Sequence, residues 1–155
     1  IELSNDNVSG RFGRTHLINV HKYIFQDIYP FAGKIRTEDI WKGTTFFCKY
    51  EHIGTQLDEL LSKLVKENLL KECSDDEFIQ RIVYYMSELN IIHPFREGNG
   101  RAIREFIRSL ALQSGRIVNW HYVNSKMLIN ASIQAVDFNY ELLEQCVRDS
   151  LKNKI

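Results

Sequence analysis

The sequence predicts a mainly α, single-domain protein that carries one small β-hairpin. Two observations lead there. Apolar residues recur at helical spacing in six separate segments. One stretch, between Gly33 and Tyr50, breaks that period and is rich in β-branched and aromatic residues. The 155 residues suit one hydrophobic core. There is no internal repeat, linker or low-complexity run, so the domain is assigned to residues 1–155.

The elements follow in order. Residues 16–29 carry Leu17, Val20, Ile24 and Ile28 as one apolar stripe. Pro30 closes that helix, because the residue before a proline is pushed out of helical geometry. Lys34-Ile35-Arg36 and Thr44-Thr45-Phe46-Phe47 read as two short strands with Gly43 at the turn, a hairpin within about 34–50. Residues 53–70 place Leu57, Leu60, Leu61, Leu64 and Val65 on one helical face. Ser74 and Glu77 form a capping-box pattern. It opens a helix to about residue 92 with Ile79, Ile82, Val83, Met86 and Leu89 inward. A further helix starts at the glycines after Pro94 and ends near Gly115, with Ile103, Phe106, Ile107 and Leu110 inward. Helices over 125–136 and 140–152 complete the chain.

Composition narrows the function. Lysine plus arginine number 20, as do aspartate plus glutamate, so the net charge is zero. Nucleic-acid binders usually show a basic excess, and none is expected as a partner here. Cys48, Cys73 and Cys146 make no CxxC pair and no zinc spacing. An odd count of separated thiols fits a reducing compartment and packing roles. No apolar run approaches the ~18 residues that would span a bilayer. Ile1-Glu2-Leu3-Ser4 lacks the basic and apolar regions of a signal peptide. The chain also lacks an initiator methionine, so it reads as an excised piece or a processed product. A cytoplasmic location is expected, with export as an effector as the alternative.

The run that carries chemistry is His93-Pro94-Phe95-Arg96-Glu97-Gly98-Asn99-Gly100-Arg101-Ala102-Ile103-Arg104. Pro94 ends the preceding helix at or near His93. Gly98-Asn99-Gly100 then expose backbone N–H groups at the start of the next helix, where unpaired N–H groups and the helix dipole form an anion site. Arg101 and Arg104, three apart, share a face and suit phosphate oxygens. Two cations at a helix N-terminus oppose the dipole, and such a local conflict belongs to functional sites. Glu97 is a hard oxygen ligand, and Mg2+ commonly takes one or two carboxylates plus substrate phosphates. His93 can accept a proton near neutral pH. Phosphoryl-type transfer needs mainly such positioning and charge neutralisation. Read blandly, the same run is a loop before a helix, and Phe95 anchors it from below.

HPFREGNGRAIR resembles the Fic motif, H-x-F-x-(D/E)-G-N-G-R-x-x-R. It matches at His93, Phe95, Glu97, Gly98, Asn99, Gly100, Arg101 and Arg104. Residues 16–36 resemble the family's first core helix and the segment leading to its flap. Lys42, Gly43, Thr44, Thr45, Phe46 and Phe47 resemble the flap hairpin itself. The likeness runs from about residue 10 to 151. It implies a protein AMP transferase that uses ATP and Mg2+. His93 would be the general base, Glu97 the magnesium ligand, and Gly98, Asn99 and Gly100 the anion hole. Arg101 and Arg104 would hold the β- and γ-phosphates. The partner implied is a protein presenting a Ser, Thr or Tyr hydroxyl. An exposed hairpin edge can pair with an extended segment of such a partner. Strand alternation turns one of Phe46 and Phe47 inward. Asn139-Tyr140-Glu141 resembles the region closing over the nucleoside, although a tyrosine opening a helix is more often packing.

Many relatives carry an inhibitory helix, (S/T)-x-x-x-E-(G/N), whose glutamate engages the residue here numbered Arg104. No match occurs. Thr55 and Glu59 have the spacing, but Leu60 follows and the segment reads as a core helix. A separate antitoxin-like protein, a missing terminus and an unregulated chain stand as three explanations. Transfer of phosphate, UMP or phosphocholine is the alternative within the fold. A non-catalytic nucleotide-binding module is the alternative outside it.

Overall fold

A computed structural model describes residues 8–151. The reading of Ile1-Glu2-Leu3-Ser4 and the predicted helix end at Lys152 lie outside the described residues. In chain order the elements are α1 (Arg14–Phe25), β1 (Trp41–Lys42), β2 (Thr45–Phe46) and α2 (Ile53–Lys66). There follow α3 (Asp75–Ile92), α4 (Asn99–Gln113), α5 (Ser125–Val136) and α6 (Glu141–Ser150). The mainly α architecture with one hairpin is as the sequence predicts.

α3 is the central helix and packs against α2, α4, α5 and α6, while α1 closes on α2 and α4. Its start is the predicted cap. Ser74 Oγ accepts the Glu77 N–H at 3.2 Å and donates to Glu77 Oε1 at 3.1 Å. Asp75, Asp76 and Glu77 occupy the first turn, where the helix dipole favours negative charge. All five predicted core residues of α3 are buried, as are the four of α4. Gly115, at φ +80°, turns the chain away after α4. Buried Arg116 then bonds Asp75 at 3.0 Å and the Cys73 carbonyl at 2.7 Å, tying the end of α4 to the start of α3.

Three predicted boundaries shift. α1 ends at Phe25 instead of 29, and Ile28 is 60% exposed. The N–H groups of Ile28 and Tyr29 both fold back onto the Phe25 carbonyl at 2.9 Å. Phe25, Tyr29 and Phe31 form an aromatic cluster, with Tyr29 stacked on Phe31 at 4.7 Å, and that packing outweighs helix continuation. α2 stops at Lys66, and Asn68, Leu69 and Leu70 follow with positive φ, so that Leu70 is buried. Val65, expected on the apolar face, is exposed. Finally, Lys34-Ile35-Arg36 is not a strand. The hairpin pairs Trp41 with Phe46 and Lys42 with Thr45. Its two-residue turn opens on Gly43 at φ +62°, as a type II′ turn requires. Arg36 is 2% exposed and points into the protein, so its segment is held by side-chain bonds and not by a ladder.

Among the described residues no helix is long and apolar enough to cross a membrane. The cysteines are free, Cys146 in the core and the other two half-buried. Replacing Ser74 with Ala removes the cap of the central helix. It is expected to lower stability by about 1 kcal/mol in urea denaturation. An unchanged midpoint contradicts the cap's role.

Candidate active site

The site grows from the end of α3. His93 is its C-cap, in the left-handed region at φ 50° and ψ 64°. That conformation costs a residue with a Cβ energy, yet His93 is held there on all sides. Its N–H donates to the Leu89 carbonyl at 2.9 Å. Its own carbonyl accepts from Arg36 Nε at 2.7 Å. Ring Nδ1 lies 3.0 Å from the Asn90 carbonyl. A carbonyl only accepts, so Nδ1 carries the hydrogen and Nε2 keeps the lone pair. Phe47 stacks on the ring at 3.9 Å and 11°. Burial pushes the His93 pKa down to about 4. The Asn90 carbonyl opposes that shift, while the charges of Arg36 and Lys42 add to it. The imidazole is therefore neutral at physiological pH.

The loop after His93 is pinned from beneath. Phe95 is fully buried. Asn99 closes a reciprocal pair with it: Nδ2 donates to the Phe95 carbonyl at 2.7 Å, and the Phe95 N–H donates to Oδ1 at 2.9 Å. Asn99 therefore offers an anion only its backbone N–H, since its side chain is spent on loop shape. His21, on α1, is fully buried and stacks on Phe95 at 3.8 Å. Its Nε2 donates to the Glu97 carbonyl at 2.9 Å, while Nδ1 accepts the Gly33 N–H at 3.0 Å. Burial lowers its pKa against the pull of that carbonyl, which keeps the ring neutral and the tautomer fixed. Gly98 sits at φ +80°, and a Cβ there would lie 2.4 Å from the Phe25 ring. Only glycine fits.

α4 begins at this loop with no side-chain cap and no acidic residue in its first turn. Helical bonding starts with the Ala102 N–H on the Gly98 carbonyl at 3.1 Å, leaving the earlier N–H groups open. Arg101 is exposed and lies over the Phe25 ring at 5.6 Å. Arg104 is half-buried, and burial first, then the Arg101 charge, lowers its pKa. Neither arginine pairs with a carboxylate among the described residues. A Cβ on Gly100 would crowd Arg104 Nη1 at 3.0 Å. Beside this pair a small cavity of about 30 Å³ opens between α3, α4 and α5, lined in part by Ser87, Asn90 and Ser132. Glu97 is exposed, and its carboxylate makes no ion pair among the described residues.

The hairpin settles the alternation. Phe47 faces in against His93, while Phe46 is 40% exposed and packs edge-on against Trp41 at 4.6 Å. Phe47 is thus a wall of the His93 site. Lys42, Gly43, Thr44 and Thr45 form the accessible tip. The Cys48 N–H donates to the Ile91 carbonyl at 3.1 Å, rooting the hairpin on α3. Tyr140 is half-buried against the core, which fits packing; Asn139 and Glu141 are exposed.

Sequence reasoning expected His93, Glu97, Gly98, Asn99, Gly100, Arg101 and Arg104 in one run, and the structure sets His93 at the end of α3, Glu97 and Gly98 in the connecting loop, and the other four on α4. That reasoning missed His21, Phe25, Arg36 and Asn90. His21 lies on the same helical face as Leu17, Val20 and Ile24, and a polar residue within that apolar stripe was its only signal.

The Fic/DOC family model matches residues 11–111. The protein adenylyltransferase VbhT of Bartonella schoenbuchensis is 39% identical over 150 residues, covering 97% of this chain and 31% of that protein. A probable protein adenylyltransferase Fic of Escherichia coli is 34% identical over 114 residues, covering 74% of this chain and 57% of the other. The chain thus spans about a third to just over half the length of these relatives. Among solved structures, BepC of Bartonella tribocorum with bound AMPPNP superposes with a TM-score of 0.89 at 23% identity, over 96% of this chain and 79% of that one. The N-terminal Fic domain of a Bartonella quintana protein with bound ADP gives 0.91 at 23%, over 96% and 77%. At that identity the likeness is one of fold.

Two outcomes are expected. In an NMR titration the His93 ring should titrate with a midpoint near 4 and show an Nδ1–H tautomer; a midpoint near 6.5 contradicts the burial. Gly98→Ala should cost roughly 2 kcal/mol or more in thermal unfolding, from left-handed strain and overlap with Phe25. A neutral effect removes the close approach.

Proposed function

This chain belongs to the Fic/DOC family, and on that footing we propose that it is a protein adenylyltransferase. It moves AMP from ATP to a Ser, Thr or Tyr hydroxyl of another protein. One observation carries the reading: His93 has every hydrogen-bonding group engaged except Nε2. Such a ring is a neutral base with its lone pair in one direction.

Nε2 takes the hydroxyl proton as the oxygen attacks the α-phosphorus. A bond forms from phosphorus to the target oxygen, the bond to the β-phosphate oxygen breaks, and pyrophosphate leaves. The open N–H groups of Asn99 and Gly100 face developing negative charge without reorganising. Arg101 and Arg104 hold the β- and γ-phosphates, which accounts for two cations at a helix start with no carboxylate beside them. Among the described residues no cluster of three or more metal-binding side chains exists. The lone, unpaired Glu97 carboxylate instead fits Mg2+, which takes few protein ligands and relies on substrate phosphates. Bound there, Mg2+ supplies charge neutralisation on the phosphates.

The hairpin receives an extended target segment along its edge. Lys42, Gly43, Thr44, Thr45 and Phe46 are the docking residues, and Phe47 fixes the wall beside the base. Inhibition of this site requires a carboxylate on Arg104. Thr55 and Glu59 do not provide it, since Leu60 is buried in the core face of α2. We assign that carboxylate to a separate protein or to a segment outside the described residues. The reaction belongs where ATP is present, in the cytoplasm of the producing cell or of a recipient.

Incubation with ATP labelled at the α-phosphate should label protein in a lysate, and label at the γ-phosphate should not transfer. His93→Ala is expected to lower transfer by about 10²-fold or more. Label from the γ-phosphate, or full transfer by His93→Ala, overturns the reading. Glu97→Ala should raise the magnesium concentration needed for turnover, and an unchanged magnesium dependence removes that role.

A further inference from the structure

Arg36 is the most heavily bonded side chain near the site, and the mechanism above does not use it. It is 2% exposed and forms no ion pair with a carboxylate among the described residues. Its guanidinium is satisfied by backbone carbonyls alone. Nε donates to His93 at 2.7 Å, Nη1 to Glu38 at 2.7 Å, and Nη2 to Cys48 at 2.6 Å and Ile92 at 3.1 Å. Its own N–H donates to the Pro94 carbonyl at 3.0 Å. These acceptors belong to three places: the end of α3, the segment leading into the hairpin, and the segment leaving it.

Burying a charge without a counter-charge is costly. Here the partial negative end of the α3 dipole offsets that cost, because Ile92 and His93 are its last carbonyls. An apolar side chain would leave those carbonyls without donors. A lysine could donate from one point only, whereas a planar fork reaches several carbonyls in fixed directions. The arrangement therefore demands an arginine, and it joins the hairpin to His93, which is held in the left-handed region at φ 50°.

We propose that Arg36 is a positioning residue that locks the His93 backbone in its left-handed conformation and ties the hairpin to it, so that base and docking edge keep one fixed geometry. The proposal rests on the assignment of His93 as base, and it concerns alignment, not contact with substrate. It predicts a particular pattern of loss. ATP binding uses the α4 start and Arg104, which Arg36 does not touch, so nucleotide affinity should hold. Transfer should fall, because the base is misaligned with the hydroxyl.

The test compares Arg36→Lys and Arg36→Met with the unchanged protein. A hydrolysis-resistant ATP analogue is titrated by calorimetry, kcat and KM are measured for transfer, and the His93 ring is followed by NMR. The groups facing that ring are the Asn90 carbonyl, Phe47, Arg36 and Lys42. Arg36→Met should lower kcat by at least about tenfold, within the ~10²-fold that a misplacement of about 1 Å produces. Analogue affinity should stay within about twofold, since no phosphate contact is lost. In the same variant the His93 titration should move up towards its ordinary range, with Arg36→Lys in between. If Arg36→Met does not fold, Arg36→Lys alone carries the test through the same kcat and titration readouts. Wild-type kcat and an unmoved His93 titration in the folded variant overturn the proposal. Equal losses of analogue affinity and kcat also overturn it, since they indicate general collapse of the site. If the unchanged protein transfers nothing, the functional reading fails, while the NMR comparison still judges Arg36.

Discussion

The structure turns on the end of α3. There a histidine is forced out of helical geometry by the proline that follows and is then captured at three of its four hydrogen-bonding groups. What remains is Nε2. For the base proposed here no carboxylate stands behind the ring: the Asn90 carbonyl selects the tautomer, and burial keeps the ring neutral. The rest of the fold serves that residue. α3 is capped at its start by Ser74 and packs against four other helices, so its C-terminus is well placed to carry a strained residue.

The second half of the site follows opposite logic. α4 starts with no cap, no acid and two arginines, against the preference of a helix dipole. Packing makes this start rigid while leaving it electrically unsatisfied. Asn99 staples the loop to Phe95, His21 fixes the Glu97 carbonyl, and Phe25 lies where a side chain on Gly98 would be. A rigid array of open N–H groups with unpaired guanidiniums beside it is complementary to a polyphosphate. Two neutral histidines thus differ in setting: His21 is fully buried and braces the loop, whereas His93 is half-buried and is the proposed base.

Much of this was legible in the sequence. The 3.6-residue period placed six helices, and the Ser74 cap and Pro94 set both ends of α3. Glycines and arginines at fixed spacing pointed to phosphate chemistry. What was hidden shares one cause: it depends on contacts between segments distant in the chain. Arg36 follows β-prone Ile35, so the local pattern predicts a strand, and nothing local reveals that its side chain spans to residues 92 and 93. The early end of α1 depends on Tyr29 and Phe31 stacking, which no periodicity encodes. The sequence assigns Asn99 to the anion site by its backbone N–H, and nothing local reveals that its side-chain amide bonds Phe95, four residues back along the chain. Alternation said that one of Phe46 and Phe47 faces inward, and only the packing on His93 decides which.

The most direct test of the central claim is the mass added to modified peptides after incubation of this chain with magnesium, ATP and a cell lysate. The account predicts an adenylyl group on a Ser, Thr or Tyr hydroxyl, present with the unchanged protein and absent with His93→Ala. A phosphoryl group in its place, or adenylyl groups added equally well by His93→Ala, would contradict it.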